Sequence, residues 1–136
     1  MTVSNASIAD RLDLLQLAFR YGTVVDDRDW PALGQIFTDD VEFDITDFAG
    51  TVTKGLDALI ALMDSPNARH PVAHLITNVY VESLDATRGT MRSRLLAVQT
   101  DGSVYVGSYS DEVTRGENGW LIQQRVCSYV RRTDRN

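Results

Sequence analysis

The sequence has little cysteine and histidine and lacks a long apolar run. Among its 136 residues are one cysteine and two histidines. A single cysteine excludes an intramolecular disulfide and favours a reducing compartment. No stretch reaches the ~18 apolar residues of a membrane span, and the N-terminus lacks a basic segment followed by an unbroken apolar run. We therefore expect a cytoplasmic protein without a signal peptide or a membrane span.

The charges and the scarcity of histidine argue against two kinds of binding partner, nucleic acids and metal ions. The net charge is −6, and the 12 arginines are scattered along the chain. Nucleic-acid binding normally leaves a basic stripe, so we expect no nucleic-acid partner. Two histidines without a clustered His/Glu/Asp triplet do not define a metal site, and we expect neither a metal nor another cofactor.

The length predicts a single domain over residues 1–136, with its core at about 7–131. Ser7 followed by Asp10 is typical of a helix N-terminus. Beyond it, two apolar stripes recur at helical spacing and predict a largely buried helix from about Ser7 to Val24. The stripes are Ile8, Leu12, Leu15 and Phe19, and beside them Leu14, Leu17 and Tyr21.

An acidic segment follows this helix, at Asp26, Asp27 and Asp29. Asp29 directly precedes Trp30-Pro31, so we expect it to cap a second short helix whose first turn tolerates proline. We expect Asp27 to face solvent. Asp26 is then free to point inward.

The remaining pattern predicts strands and one more helix. Asp101-Gly102 and Asn118-Gly119 are strong hairpin signals. Helices followed by an antiparallel meander indicate an α+β fold, with a curved sheet that leaves room for a small apolar ligand. The predicted elements are strands at 41–45, within 47–53, and at 72–84, 89–100, 103–115 and 120–131, and a helix from Leu56 to about Ser65.

With these positions assigned, the chain resembles the SnoaL-like family of the NTF2-like superfamily over residues 7–131. The resemblance implies an NTF2-like (cystatin-like) cone, in which three N-terminal helices pack on a curved, mainly antiparallel sheet around an apolar pocket. The superfamily contains dehydratases, polyketide cyclases, ketosteroid isomerases and non-catalytic binders. The matching positions are Tyr21, Asp26, Asp29-Trp30, Gly55, His74-x3-Asn78, Gly107-x-Tyr109-x-Asp111, Gly119-Trp120 and Arg125.

Within that superfamily, the chain is most similar to scytalone dehydratase and the bile-acid 7α-dehydratases. Asp26 and His74 match the position of their His–Asp pair, and Tyr21 matches an assisting tyrosine. Val25 and Ile45 stand where scytalone dehydratase has two tyrosines. Scytalone is therefore not the expected substrate.

These residue types suit proton transfer. A neutral His74 can take up a proton near pH 7 and return it. Asp26, bonded to its other ring nitrogen, would orient it, as in catalytic triads. Tyr21 would donate its hydroxyl to a developing enolate. The alternatives are a structural core histidine and a core tyrosine.

Further pocket candidates lie on the strands. Alternation predicts that His74, Ile76, Asn78 and Tyr80 share one face, so Asn78 binds either a substrate oxygen or the backbone. Tyr109 and Arg125 are substrate-binding candidates on neighbouring strands. Arg125 pairs either with an anionic substrate group or with Asp111 or Glu112. We expect His70 to be exposed and Cys127 to pack as a small apolar residue.

We therefore predict a cofactor-independent dehydratase or cyclase acting on a small apolar cyclic hydroxy-ketone. One alternative is a ketosteroid-isomerase-like enzyme with Asp44 or Asp47 as its base. Another is a non-catalytic ligand-binding or assembly module. In each case we expect a homodimer formed through the outer face of the sheet.

Overall fold

The computed structural model describes residues 5–131 and has an α+β fold, as predicted. A six-stranded sheet has the strand order β2-β1-β6-β5-β4-β3. The helical elements are α1 (Asn5–Asp26), the 3-10 helix η1 (Trp30–Gln35), α2 (Thr46–Ala49) and α3 (Leu56–Met63). The strands are β1 (Phe37–Asp44), β2 (Val52–Lys54), β3 (Ala73–Leu84), β4 (Arg88–Val98), β5 (Val104–Gly116) and β6 (Gly119–Tyr129).

Strands β3 to β6 form the predicted antiparallel meander. Gly102 and Gly119 have positive φ at the two predicted turns, where glycine is the least strained residue. The sheet is completed by β1, which pairs in parallel with β6, and by β2 at the edge. Hairpin signals carry no information about this parallel pairing, because it joins strands far apart in the chain.

Helix α1 packs against β3 through one of its two apolar stripes. Leu14, Leu17 and Tyr21 are buried, whereas Ile8 and Leu12 are 50% and 58% exposed. The prediction that α1 is largely buried is therefore wrong for the stripe that contains Ile8 and Leu12. The reason is geometric: a single sheet covers only one side of the helix.

Gly22 lies at the closest approach of α1 to β3. A Cβ atom there would lie 2.7 Å from the carbonyl oxygen of His74 and 3.1 Å from Cγ1 of Ile76. Only glycine fits this spacing without a shift of the backbone. The close contact brings the C-terminal turn of α1 to the start of β3.

The capping arrangements expected at Ser7 and Asp29 differ from what residues 5–131 show. Helix α1 already includes Asn5, so Ser7 lies inside it, and Asp10 is buried. Asp10 accepts hydrogen bonds from Nε1 of Trp120 (3.1 Å) and Nη1 of Arg115 (3.0 Å). Asp29 stands at the N-cap position of η1, but its side chain makes no capping hydrogen bond within the described residues.

A β-bulge interrupts β3 at Asn78. Its φ is +52°, and the pairing with β4 shifts register between Thr77 and Tyr80. Alternation therefore breaks, so that Asn78 and Tyr80 are exposed while Val79 is half-buried. The prediction that Asn78 and Tyr80 share the inner face with His74 is wrong, because one extra residue at a bulge reverses the facing of those beyond it.

Candidate active site

A pocket of about 260 Å³ opens between α1, the segment from Leu62 to Pro71, and the inner face of the sheet. Its walls are mainly apolar and aromatic, as in ligand sites generally. A cleft of similar volume beside the β3–β4 turn is lined by none of the predicted catalytic residues. The lining of the pocket beside α1 includes Tyr21, Val25, Phe43, Ile45, Phe48, His70, His74, Leu95, Tyr105, Tyr109 and Cys127.

Asp26 binds His74 in two ways. Its carboxylate lies 2.7 Å from Nδ1 of the His74 ring. It also accepts the backbone N–H of His74, at 2.9 and 3.1 Å. A carboxylate only accepts hydrogen bonds, so Nδ1 carries the proton and Nε2 keeps its lone pair. This arrangement fixes both the tautomer and the orientation of the ring.

Asp26 is also the last residue of α1, where a carboxylate is poorly placed for helix stability. The negative end of the helix dipole disfavours an anion there by about 0.3–1 kcal/mol. Its contacts with His74 offset this cost. The position of Asp26 is therefore explained by its partner on β3 and not by the helix.

The environment keeps the His74 imidazole neutral. The residue is 9% exposed. Burial lowers the pKa of His74 below its usual value, with Asp26 opposing and His70 and Arg28 adding to the decrease. A histidine with a lowered pKa is unprotonated at neutral pH and can accept a proton.

Two tyrosines line the deep end of the same pocket. The ring of Tyr21 lies 6.5 Å from that of His74 and 5.7 Å from that of Tyr109. Both tyrosines are almost completely buried. Burial raises the pKa of Tyr21 and of Tyr109, so both hydroxyls stay protonated and available as donors.

The other two substrate-binding candidates lie outside this pocket. Arg125 is fully buried and binds Asp111 through two hydrogen bonds of 2.8 Å. The ion-pair alternative is therefore the one found for Arg125. Asn78 lies at the bulge, on a separate cleft formed with Arg92 and Arg94. Neither side chain lines the cavity with His74, and substrate contact by Asn78 or Arg125 stays a prediction.

His70 is a pocket residue that the sequence did not reveal. It was expected to be exposed, but it is half-buried and packs on Trp30, with ring centroids 4.9 Å apart. Its Nε2 lies 2.8 Å from the carbonyl oxygen of Met63, which fixes a proton on Nε2. Because prolines flank this loop, neither helical nor strand periodicity could have placed His70.

Cys127 borders the pocket as an inert thiol. It is 2% exposed, and burial raises its pKa to about 12. A thiol with so high a pKa supplies almost no thiolate at neutral pH. Its expected role as a small apolar residue agrees with this environment.

Two further features are absent from the described part of the chain. Residues 5–131 contain no group of three or more His, Cys, Asp or Glu side chains suited to a metal ion. Within the same residues, no helix has both the length and the apolar character needed to cross a membrane.

The fold and the pocket define a small α+β protein with a mainly apolar cavity on the inner face of its sheet. The sequence profile of the SnoaL-like domain matches residues 6–126, nearly the whole chain. The chain therefore belongs to the SnoaL-like domain family. No curated protein matches it significantly.

Solved structures from Novosphingobium aromaticivorans share this fold. One is provisionally described as an aromatic ring hydroxylase and is 27% identical, with a TM-score of 0.79 and 92% of each chain covered. An NTF2-like protein with a cystatin-like fold is 23% identical, with a TM-score of 0.75, covering 98% of this chain and 95% of its own. A third, provisionally described as a scytalone dehydratase, is 18% identical, with a TM-score of 0.81, covering 98% and 93%. The identities of the last two support the shared fold alone.

Proposed function

We propose that this protein is a cofactor-independent dehydratase or cyclase for a small apolar, cyclic hydroxy-ketone. The observation that carries the proposal is the Asp26 carboxylate held 2.7 Å from Nδ1 of a buried His74 beside an apolar cavity. Family membership and the scytalone-dehydratase-like fold relative are consistent with it. Asp26, His74 and Tyr21 are the assigned catalytic residues.

The first step is abstraction of a proton by His74. Its Nε2 lone pair removes a hydrogen from the carbon next to the substrate carbonyl, and the C–H electron pair forms an enolate. Asp26 stabilises the resulting imidazolium through Nδ1. General-base catalysis of this kind contributes roughly 10²–10⁴-fold in rate.

Tyr21 supports the same step as a hydrogen-bond donor. Its protonated hydroxyl binds the carbonyl oxygen as negative charge develops there. The enolate then collapses to a conjugated double bond and expels the β-hydroxyl group. His74 or a water returns the proton, so that one water leaves for each turnover. His70 also lines this cavity, and because its Nε2–H is donated to Met63, its Nδ1 remains as an acceptor for a water or a substrate hydroxyl.

Incubation with a panel of cyclic β-hydroxy-ketones tests the proposal, with loss of water followed by mass spectrometry. Exchange of the α-hydrogen in D₂O reports the first step separately. We expect His74→Ala to lower both rates at least ~100-fold and Tyr21→Phe to lower them by a smaller factor. Asn78→Ala, which lies outside the pocket, serves as the control. Unchanged rates in His74→Ala would remove the assigned mechanism.

The two alternatives are separated by the same measurements. A ketosteroid-isomerase-like reaction needs a carboxylate base, but Asp44 accepts the backbone N–H of Thr46. Asp47 binds Arg131 and the backbone N–H of Tyr129. Asp44→Asn should therefore leave turnover unchanged. Tight binding without exchange or turnover across the panel would favour the non-catalytic alternative.

The oligomeric part of the proposal is a homodimer formed through the outer face of the sheet. Leu75, Val104 and Val106 are exposed there, at 52%, 59% and 43%. Apolar groups exposed next to one another commonly mark an interface. Sedimentation of the wild type and Val106→Glu tests this, because a monomeric wild type would refute it. The cytoplasmic location stays a prediction from composition.

A further inference from the structure

Behind the two tyrosines of the pocket lies a fully buried cation. The Arg125 side chain has no solvent exposure. Asp111 accepts hydrogen bonds from its Nε and Nη2, both at 2.8 Å. The third nitrogen, Nη1, is buried without a hydrogen-bond partner among the described residues. A buried guanidinium N–H without a partner is uncommon and calls for an explanation.

The Arg125–Asp111 pair has no net charge, but its positive and negative ends point in different directions. Asp111 occupies the Nε–Nη2 edge of the guanidinium, so the Nη1 side points away from the carboxylate. The guanidinium carbon lies 4.0 Å from the ring centroid of Tyr109 and 4.4 Å from that of Tyr21. A cation this close to two ring faces interacts strongly when water is excluded. The tyrosines therefore lie between a positive charge and the cavity.

The cavity wall has the same electrostatic bias. Among residues 5–131, its lining contains the cation Arg69 and no Asp or Glu. Two carboxylates close to this lining are already engaged, with Asp26 bound to His74 and Asp111 to Arg125. A ligand oxygen that meets the Tyr21 and Tyr109 hydroxyls thus encounters donors and positive charge in an acidic protein of net charge −6.

We propose that Arg125 is a positioning residue that makes the tyrosine end of the pocket selective for ligands whose oxygen is, or becomes, an anion. Phenolates and enolates are the chemical classes that it would favour over neutral ethers or alcohols. This inference rests on the proposed function for its catalytic meaning, since an enolate is the intermediate assigned there. It concerns binding and can be tested without turnover.

Stability alone does not explain why a charged pair is retained at this place. Replacing a buried ion pair with well-packed apolar residues is often neutral or stabilising. The double variant Arg125→Met with Asp111→Leu should therefore fold while losing the cation behind the rings. Single variants would leave one unpaired buried charge, which would confound a binding measurement with a loss of stability.

The test uses 4-nitrophenol as the probe, because its phenolate is seen directly by absorbance, and 4-nitroanisole as the neutral match. We expect the wild type to lower the pKa of bound 4-nitrophenol relative to the free probe. In the double variant, the preference for phenolate over phenol should fall at least ~10-fold, with 4-nitroanisole binding unchanged. Arg115→Met, which removes an arginine paired with Asp10 away from the pocket, should behave as wild type.

Three results would overturn the inference. One is an equal phenolate preference in the wild type and in a folded double variant, with folding checked by circular dichroism. Another is that the wild-type protein binds the phenolate no more tightly than the phenol. A third is loss of the preference in His74→Gln, which would assign it to a protonated imidazole. A preserved preference without exchange or turnover would refute the proposed function while leaving the role of Arg125 intact.

Discussion

Gly22→Ala tests whether the spacing between α1 and β3 maintains the Asp26–His74 contact. The added Cβ would lie 2.7 Å from the carbonyl oxygen of His74. That oxygen belongs to the backbone of a strand paired with β4, so it cannot rotate away as a side chain would. We therefore expect the helix to move outward by about 0.7 Å, because an ordinary contact begins at about 3.4 Å.

Two opposing effects set the magnitude. Alanine in place of glycine inside a helix favours folding by roughly 0.5–1 kcal/mol. Overpacking against fixed neighbours costs about 1–3 kcal/mol. The expected net loss in the free energy of unfolding is about 1–2 kcal/mol. Asp26 lies one turn further along α1, so the same movement would stretch its 2.7 Å bond with His74 beyond the usual range.

Urea denaturation measures the loss in stability, and the Nδ1–H proton resonance of His74 reports the hydrogen bond. Gly34→Ala is the matched control, because its Cβ would meet only Cδ2 of Leu56 at 3.5 Å. We expect Gly34→Ala to be neutral or slightly stabilising, since Gly34 lies inside η1, and to leave the His74 resonance unmoved. The reasoning is refuted if Gly22→Ala is as stable as Gly34→Ala and the resonance does not move.

Asp111→Ala should lower the free energy of unfolding by about 3–5 kcal/mol, because it leaves the buried charge of Arg125 unpaired; a loss under ~1 kcal/mol in urea denaturation would contradict this. Because burial lowers the pKa of His74, the unfolded chain binds a proton that the folded one excludes, so stability should fall as pH drops below about 6.5. His74→Gln should weaken this dependence in pH-dependent melts, and an unchanged dependence would assign it elsewhere. Cys127, with a pKa raised to about 12, should resist iodoacetamide until the protein is unfolded in urea, which mass spectrometry can follow.

The helices and the meander follow from local rules, and most were predictable. Turn residues such as Asp101-Gly102 determine hairpins over a few positions, and apolar periodicity determines long elements. The four-residue helix α2 was not predicted, because so short a segment has no periodicity. The pairing of β1 with β6 was not predicted, because it depends on the whole sheet and not on any local signal.

The candidate site was predictable in part, and the wrong predictions share a cause, which is that tertiary structure decides the positions concerned. Tyr21, Asp26 and His74 could be selected because each matches a residue pattern. Asn78 was misplaced because a single bulge reverses strand alternation. His70 was overlooked because loop geometry and its packing on Trp30 arise only from tertiary contacts. The burial of Arg125 likewise depends on which face of β6 turns inward.

The parallel pairing of β1 with β6 has a consequence for folding kinetics. Phe43 aligns with Arg125 across this pair, so the strands meet only after a long loop closes. Contacts between distant segments slow folding, whereas the β3–β6 hairpins close locally. We expect β1 and β2 to join last. In native-state hydrogen exchange, their amides should open as one unit at a lower free energy than those of the meander.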